Sequence, residues 1–387
     1  MTYDISQLRK FVTPEIIFGA GSRKTVANYV NTFAARKVLL VSDPGVVAAG
    51  WVADVENSLQ QQGVDYVLYT QVSANPRVEE VMLGAEVYRA SACDAIVAIG
   101  GGSPMDCAKA IGIVATNGGH ILDFEGVDTI RTSVPPVILI PTTAGTSADV
   151  SQFVIISNQQ EKVKFSIISK AVVPDVALID PEVTATMDPF LSACTGVDAL
   201  VHAIEAYVST GSGPMTDAHA LEAMRLINGN LVEMIKQPDN IQLREKIMLG
   251  SLQAGLAFSN AILGAVHAMS HSLGGYLDLP HGLCNAILME HVVAFNYDAA
   301  PDRFKVVAQT LGIDIRGLSG PQVRQRLVQH LIDFKHAVGF EQTLGMHGVG
   351  ISDLPMLSIH AMDDPCILTN PRESSIRDVE VVYAEAL

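Results

Sequence analysis

Residues 94–112 read DAIVAIGGGSPMDCAKAIG, and this stretch decides the fold. Its apolar, β-branched start reads as a buried strand. Gly100, Gly101, Gly102 and Ser103 then form a turn, and a helix begins at Pro104. Glycines let a backbone approach a ligand closely, and a helix N-terminus offers unpaired N–H groups to an anion. A pyrophosphate fits such a turn, although the spacing is not GxGxxG and a tight strand–helix turn with no ligand has the same composition. Working outward, KVLLVSD (37–43), DYVLYTQV (65–72), VPPVILIPTT (134–143) and VALIDPEV (176–183) read as further strands. Helical stretches such as VEEVMLGAEVYRAS (78–91) lie between them. Strands and helices in alternation mean a parallel sheet with helices on both faces. From about Asp188 helical periodicity continues without strand runs, and Pro189 and Pro214 stand at helix starts. The expected organisation is a Rossmann-like α/β domain over residues 1–186 and an all-α domain over 187–387.

Of 387 residues, 49% are hydrophobic and 17% charged, ample for large cores. A net charge of -16 argues against nucleic acid or an anionic membrane as partner, since both need basic patches. The five cysteines are widely spaced with no CxxC, which fits a reducing cytoplasm and neither a disulfide framework nor a zinc finger. The N-terminal MTYDISQLRKF has an acid at Asp4 and no apolar run, so no secretory signal is expected. Between Lys246 and Asp278 no charged residue occurs, a length that could span a bilayer. The polar Ser251, Gln253, Asn260, His267 and His271 within it favour a central helix buried in a helical domain.

Asp43 ends a strand, where an acid can bond a ribose hydroxyl and repel a 2'-phosphate; an ordinary turn aspartate before Pro44-Gly45 reads the same way. PTTAGTSADVS (141–151) is a second turn after a strand, rich in hydroxyls and small residues. GAGSRK (19–24) has two glycines and reads as a loop. In GVDALVHAIEA, Asp198 and His202 share a helix face by i, i+4 spacing. His267 and His271 repeat that spacing, and His281 follows Pro280. Four of eleven histidines fall between 267 and 291, in apolar surroundings that make unpartnered imidazoles costly. A carboxylate with several imidazoles suits a divalent ion such as Fe²⁺ or Zn²⁺. Spacing alone does not choose which histidines bind. His219 and His291 read as plain surface or core residues, and His330 and His336 as solvated ones.

The segments IIFGAGS, AIGGGSPMDCAKAIG, PTTAGT, GVDALVHAIEAYVS, GAVHAMSHSLGGYLDLPHGLCNAIL and DPCILTNPR resemble the iron-containing (group III) alcohol dehydrogenase family nearly end to end. The resemblance implies a dehydroquinate synthase-like fold and hydride transfer between a small primary alcohol or diol and NAD rather than NADP. It implies metal ligation by Asp198, His202, His267 and His281, with Fe²⁺ as the ion and Zn²⁺ or another divalent ion as alternatives, and a proton relay through His271. It also assigns cofactor contacts to Asp43, Asn75, Gly100, Gly101, Gly102, Ser103, Thr142, Thr143, Thr146 and Lys164, and pocket positions to Phe258 and Cys366. A homo-oligomer acting on a small alcohol or aldehyde follows from it as well. Two departures stand out: Ser147-Ala148-Asp149 replaces the usual Gly-Ser-Glu, and Ser272 often-found Pro. The competing readings are a zinc glycerol dehydrogenase-like enzyme on the same fold, a lyase resembling dehydroquinate synthase, a metal-dependent hydrolase without nicotinamide, using Glu205 or His271 as base, and a non-enzymatic metal- or nucleotide-binding protein.

Overall fold

The computed structural model describes residues 10–387; the opening stretch read above as no secretory signal lies almost wholly outside them. The chain forms two compact units, Val12–Met187 and one built on Asp188–Leu387.

The first unit holds nine strands among the described residues. They are β1 Glu15–Phe18, β2 Lys37–Val41, β3 Asp65–Tyr69, β4 Ala95–Gly100, β5 Gly126–Val127, β6 Val137–Pro141, β7 Phe153–Asn158, β8 Val163–Ile168 and β9 Val176–Ile179. Six make a parallel sheet in the order β1-β9-β6-β4-β2-β3. Alternation along the strands supplies two cores. Leu39, Val41, Ile96, Ala98, Val137 and Leu139 pack with Val81, Ala85, Ala108 and Ile111 of the helices Val78–Ala90 and Gly102–Asn117. Val38, Leu40, Val97, Ile99, Ile138 and Ile140 pack on the other face with Val26, Val30, Val55 and Leu59. Both faces of the inner strands β4, β6 and β9 are covered, so these strands are apolar throughout.

Register brings the functional turns to one edge. Val41 pairs with Ala98, and Gly100 with Pro141, so Asp43, the glycine turn and Thr142 all follow carboxyl ends of neighbouring strands. That edge is where open α/β sheets bind ligands. Two features went unread in the sequence. β1 is a short edge strand inside PEIIF, and β5, β8 and β7 form a separate three-stranded sheet around an antiparallel β7–β8 pair. The strand expected over 134–143 is confined to 137–141, because Pro135 and Pro136 lack ladder donors.

In the second unit the described residues form helices and 3₁₀ turns without strands. Asp188 caps Pro189–Val208 by accepting from Leu191 N–H, and Pro189 and Pro214 sit in first turns. The uncharged run between Lys246 and Asp278 is not one central helix. It is Ile241–Ala261 followed by Ala265–Leu277, bent by 100°, and no single helix is long and apolar enough to cross a membrane. The break is built by side chains: Ser209 Oγ donates to the Ala261 carbonyl at 2.5 Å, and Ile262 takes φ 63°, ψ -173°. Such a backbone costs a β-branched residue on the order of 1–3 kcal/mol and persists only where its surroundings impose it.

Candidate metal centre and cofactor turns

The break aims the second helix. Val266 N–H donates to Glu205 Oε1 at 2.7 Å, and Ala265 N–H to Asn370 Oδ1 at 3.1 Å, so two orphan donors of the helix start are satisfied by buried side chains. Gly264 must be glycine, since a Cβ there would stand 2.9 Å from Glu205 Oε1 and 3.0 Å from Asn370 Oδ1. Glu205 Oε2 then lies 2.6 Å from His267 Nδ1. A carboxylate only accepts, so Nδ1 carries the proton and Nε2 presents its lone pair.

That lone pair meets Asp198. From Asp198 Oδ1 the Nε2 atoms of His267, His281 and His202 lie 3.5, 3.6 and 3.7 Å away. Ligands bound at about 2.1 Å around one ion in tetrahedral array would stand roughly 3.4 Å apart. The distances to Asp198 match that spacing, and the ligand atoms of Asp198, His267 and His281 lie within 4.8 Å of one another; His202 approaches Asp198 but stands outside that group. Asn285 Nδ2 bonds Asp198 Oδ1 at 2.7 Å and lies 3.3 Å from Nε2 of both His267 and His281, as expected where acceptor lone pairs converge. Asp198, His202 and His267 are buried and His281 is half-buried. Phe258 stacks on His202 (4.2 Å between centroids, 17°) and His202 on His267 (4.4 Å, 16°), which locks the ring planes.

The electrostatics ask for positive charge. Burial works against the charged form of His267, yet the carboxylates of Asp198 and Glu205 outweigh it and raise its pKa to about 9, so a proton takes the Nε2 lone pair where no metal ion does. Burial likewise opposes ionisation of Asp198, but His202, His281 and His267 hold it well below the usual carboxylate range. Two carboxylates and three imidazoles in a dry site thus fit a cation.

His271, one turn beyond His267, faces elsewhere. Its Nδ1 bonds Asp364 Oδ2 at 2.8 Å, and its ring stacks on His281 (5.1 Å, 19°). Asp364 Oδ1 accepts the Cys366 N–H at 2.8 Å. Cys366, expected on a pocket wall, is fully buried; burial and Asp364 push its thiol pKa well up. Phe258, the other expected pocket residue, is buried against His202. Of the histidines read as solvated, His330 is half-buried and bonds Asn228 at 2.9 Å; His219, read as a plain surface or core residue, bonds Gln253 Oε1. Sequence reading passed over Asp364, Asn285 and Asn370, and took Glu205 only as a possible base. Both Glu205 oxygens are committed to Val266 and His267, so it is not available as one. Its signal was present: residues 198, 202 and 205 fall on one helix face.

In the first unit the helix Gly102–Asn117 starts two residues earlier than expected, inside the glycine turn. A Cβ on Gly100 would meet Pro104 Cγ at 2.6 Å, and one on Gly102 would meet Thr146 Cγ2 at 2.8 Å. Thr142 N–H donates to the Gly100 carbonyl at 2.8 Å, locking the two turns together. The hydroxyl oxygens of Thr143 and Thr146 are buried with no hydrogen-bond partner among the described residues, beside an anion-attracting helix start. These orphan hydroxyls fit a dinucleotide. Ser103 Oγ donates to the Ala74 carbonyl at 2.6 Å and Lys164 Nζ to Asn75 Oδ1 at 2.8 Å, so three more expected contacts gather near the turn. Asp43 caps the short helix Pro44–Ala48 through Oδ1, which bonds the N–H groups of Gly45 and Val46. GAGSRK is structural: buried Arg23 bonds Asp54, Asp180 and Glu182. Ser147 sits at φ 49°, a left-handed conformation that the usual glycine adopts without cost. Asp149 is buried and Asp106 half-buried near Lys109, whose ammonium donates to the Ser151 and Phe153 carbonyls.

Residues 13–181 match the iron-containing alcohol dehydrogenase family model, and residues 192–387 match the C-terminal model of the Fe-containing alcohol dehydrogenase family. The chain is 37% identical over 377 residues to the NAD-dependent methanol dehydrogenase of Bacillus methanolicus, covering 97% of this chain and 99% of that protein. It is 37% identical over 379 residues to the 1,3-propanediol dehydrogenase of Klebsiella pneumoniae, covering 97% and 98%. A crystal structure of 1,3-propanediol oxidoreductase superposes with a TM-score of 0.95 at 36% identity, covering 98% of this chain and 100% of that one.

Proposed function

The chain belongs to the iron-containing alcohol dehydrogenase family, and from that premise we propose that it interconverts a small primary alcohol or diol and its aldehyde with NAD. The observation that carries this reading is the convergence of Asp198 Oδ1 with three Nε2 atoms, backed by Glu205. Asp198, His202, His267 and His281 would hold Fe²⁺, or Zn²⁺ in its place. When bound, the ion supplies Lewis-acid activation at the alcohol oxygen and the nicotinamide accepts the hydride from carbon.

The protein's own residues do the rest. Glu205 keeps His267 in the Nδ1–H tautomer, and the stack of Phe258 and His202 holds the ring plane and excludes water on that side. His271 moves the proton through Nε2. Gly100–Ser103, Thr142, Thr143 and Thr146 would hold the pyrophosphate, Asn75 and Lys164 would flank it, and Asp43 would bond a ribose hydroxyl, favouring NAD over NADP. The name of the Bacillus relative, which states NAD dependence, supports the same choice. The proposal includes a cytoplasmic homo-oligomer: none of the five cysteines is in a disulfide, which suits a reducing compartment, and light scattering measures the assembly. The commitment of both Glu205 oxygens weighs against the hydrolase reading.

Elemental analysis with NADH absorbance over a panel of alcohols tests the reading and separates iron from zinc. His267→Ala is expected to lose metal and NADH formation together while still binding NAD. Full turnover by the metal-free variant refutes it.

A further inference from the structure

We propose that Asp364 is the positioning residue of the proton relay, holding His271 in one tautomer and one orientation so that Nε2 alone faces the chemistry. The inference rests on the functional reading above and adds a residue to it.

Asp364 Oδ2 and His271 Nδ1 lie 2.8 Å apart, and both residues are buried. An ionised carboxylate has no hydrogen to give, so the proton between them belongs to Nδ1. A neutral imidazole has one N–H; with Nδ1 occupied, the lone pair is on Nε2. The carboxylate is itself fixed before it meets the ring. Its Oδ1 accepts the Cys366 N–H at 2.8 Å as the cap of the 3₁₀ turn Pro365–Thr369. The ring's orientation is fixed again by its stack on His281, and the helix beneath it is anchored where Tyr383 Oη donates to the Met269 carbonyl at 2.8 Å. A ring held at Nδ1 and on one face has a single way to present Nε2.

Oxidation of the alcohol releases a hydride from carbon and a proton from oxygen. NAD⁺ takes the hydride and becomes NADH. The proton passes to His271 Nε2, while the Nδ1–H bond to Asp364 stays intact, and leaves to water. Without Asp364 the two tautomers compete, and the one bearing Nε2–H cannot accept that proton.

Asp364→Asn keeps the size of the side chain but adds a donor that can bond Nδ1 and favour the Nε2–H tautomer. On the metal-loaded protein, kcat for alcohol oxidation is expected to fall by about 10²-fold or more, the scale of lost general acid–base catalysis. KM for the alcohol stays within threefold, metal content is unchanged, and Asp364→Glu recovers part of kcat. Selective ¹⁵N labelling of histidine, assigned with His271→Gln, gives a readout free of activity: wild type shows Nδ1–H at neutral His271 and Asp364→Asn loses it. Retention of kcat within threefold by Asp364→Asn, or an Nε2–H tautomer in wild type, overturns the proposal. If Asp364→Asn does not fold, the wild-type tautomer decides. A wild-type protein that makes no NADH from any alcohol, yet carries Nδ1–H at His271, overturns the functional reading and upholds the role of Asp364 in fixing the ring.

Discussion

Replacing Glu205 by Gln tests whether the metal centre is tuned from behind its ligands. Glu205 spends one oxygen on Val266 N–H at 2.7 Å and the other on His267 Nδ1 at 2.6 Å, so both partners are donors. Glutamine has one acceptor oxygen. Its amide nitrogen must face either the helix N–H or the imidazole, and the imidazole yields by moving its proton to Nε2. That proton then occupies the lone pair aimed at the cluster around Asp198. A lost hydrogen bond to a charged group in a buried site costs about 1.5–3 kcal/mol. Loss of an outer partner of a ligating histidine weakens metal affinity by about 10–100-fold, or roughly 1.4–2.7 kcal/mol, and the two scales agree. Competition of Zn²⁺ between the protein and a chromophoric chelator, wild type against Glu205→Gln, measures the change directly. Circular dichroism checks that the helices persist. An affinity within twofold of wild type in a folded variant would refute the claim that Glu205 sets the tautomer of His267.

Two further perturbations address the first unit. Gly102→Ala puts a Cβ 2.8 Å from Thr146 Cγ2, so Thr146 must leave its place; calorimetry should record NAD binding weakened at least tenfold with metal content unchanged, and equal affinity would remove the turn from the cofactor site. Asp149, buried, and Asp106, half-buried, lie beside Lys109, and loss of solvent around their carboxyl groups pushes both up to about 6, so the native state binds protons that the unfolded chain has released. Their contribution to stability is therefore full below about 4 and declines as pH rises through about 6. Unfolding free energy of Asp149→Asn relative to wild type should move in the variant's favour across that window and level off above it; a flat difference from pH 4 to 7 contradicts the assignment.

Much of the fold was legible because its signals are local. Strands such as KVLLV and AIVAIG are buried on both faces and read as unbroken apolar runs, and Pro189 and Pro214 mark helix starts by their own chemistry. What stayed hidden depends on distant residues. The β7–β8 pair has Lys164 and Ser157 among its apolar residues, and its ladder exists only by pairing. The bend at Ile262 looks in sequence like continued helix, because nothing near AILGAV announces that Ser209 will cap Ala261 or that Glu205 and Asn370 will receive the next helix start. Propensity lost there to tertiary contacts.

The same limit explains why spacing could not choose between His267 and His271. Four residues apart on one helix, they share a face and a chemistry. Each even bonds a carboxylate through Nδ1: Glu205 for His267 and Asp364 for His271. One device therefore prepares both rings to offer Nε2. The difference lies in what Nε2 meets. At His267 it lies 3.5 Å from Asp198 Oδ1, among lone pairs that repel one another until a cation joins them. His271 clusters instead with Asp364 and Cys366, where a lone pair can take a proton. On the proposed reading, ligand and relay would be the same residue type in the same tautomer, told apart by the position of one aspartate, Asp198, on a different helix.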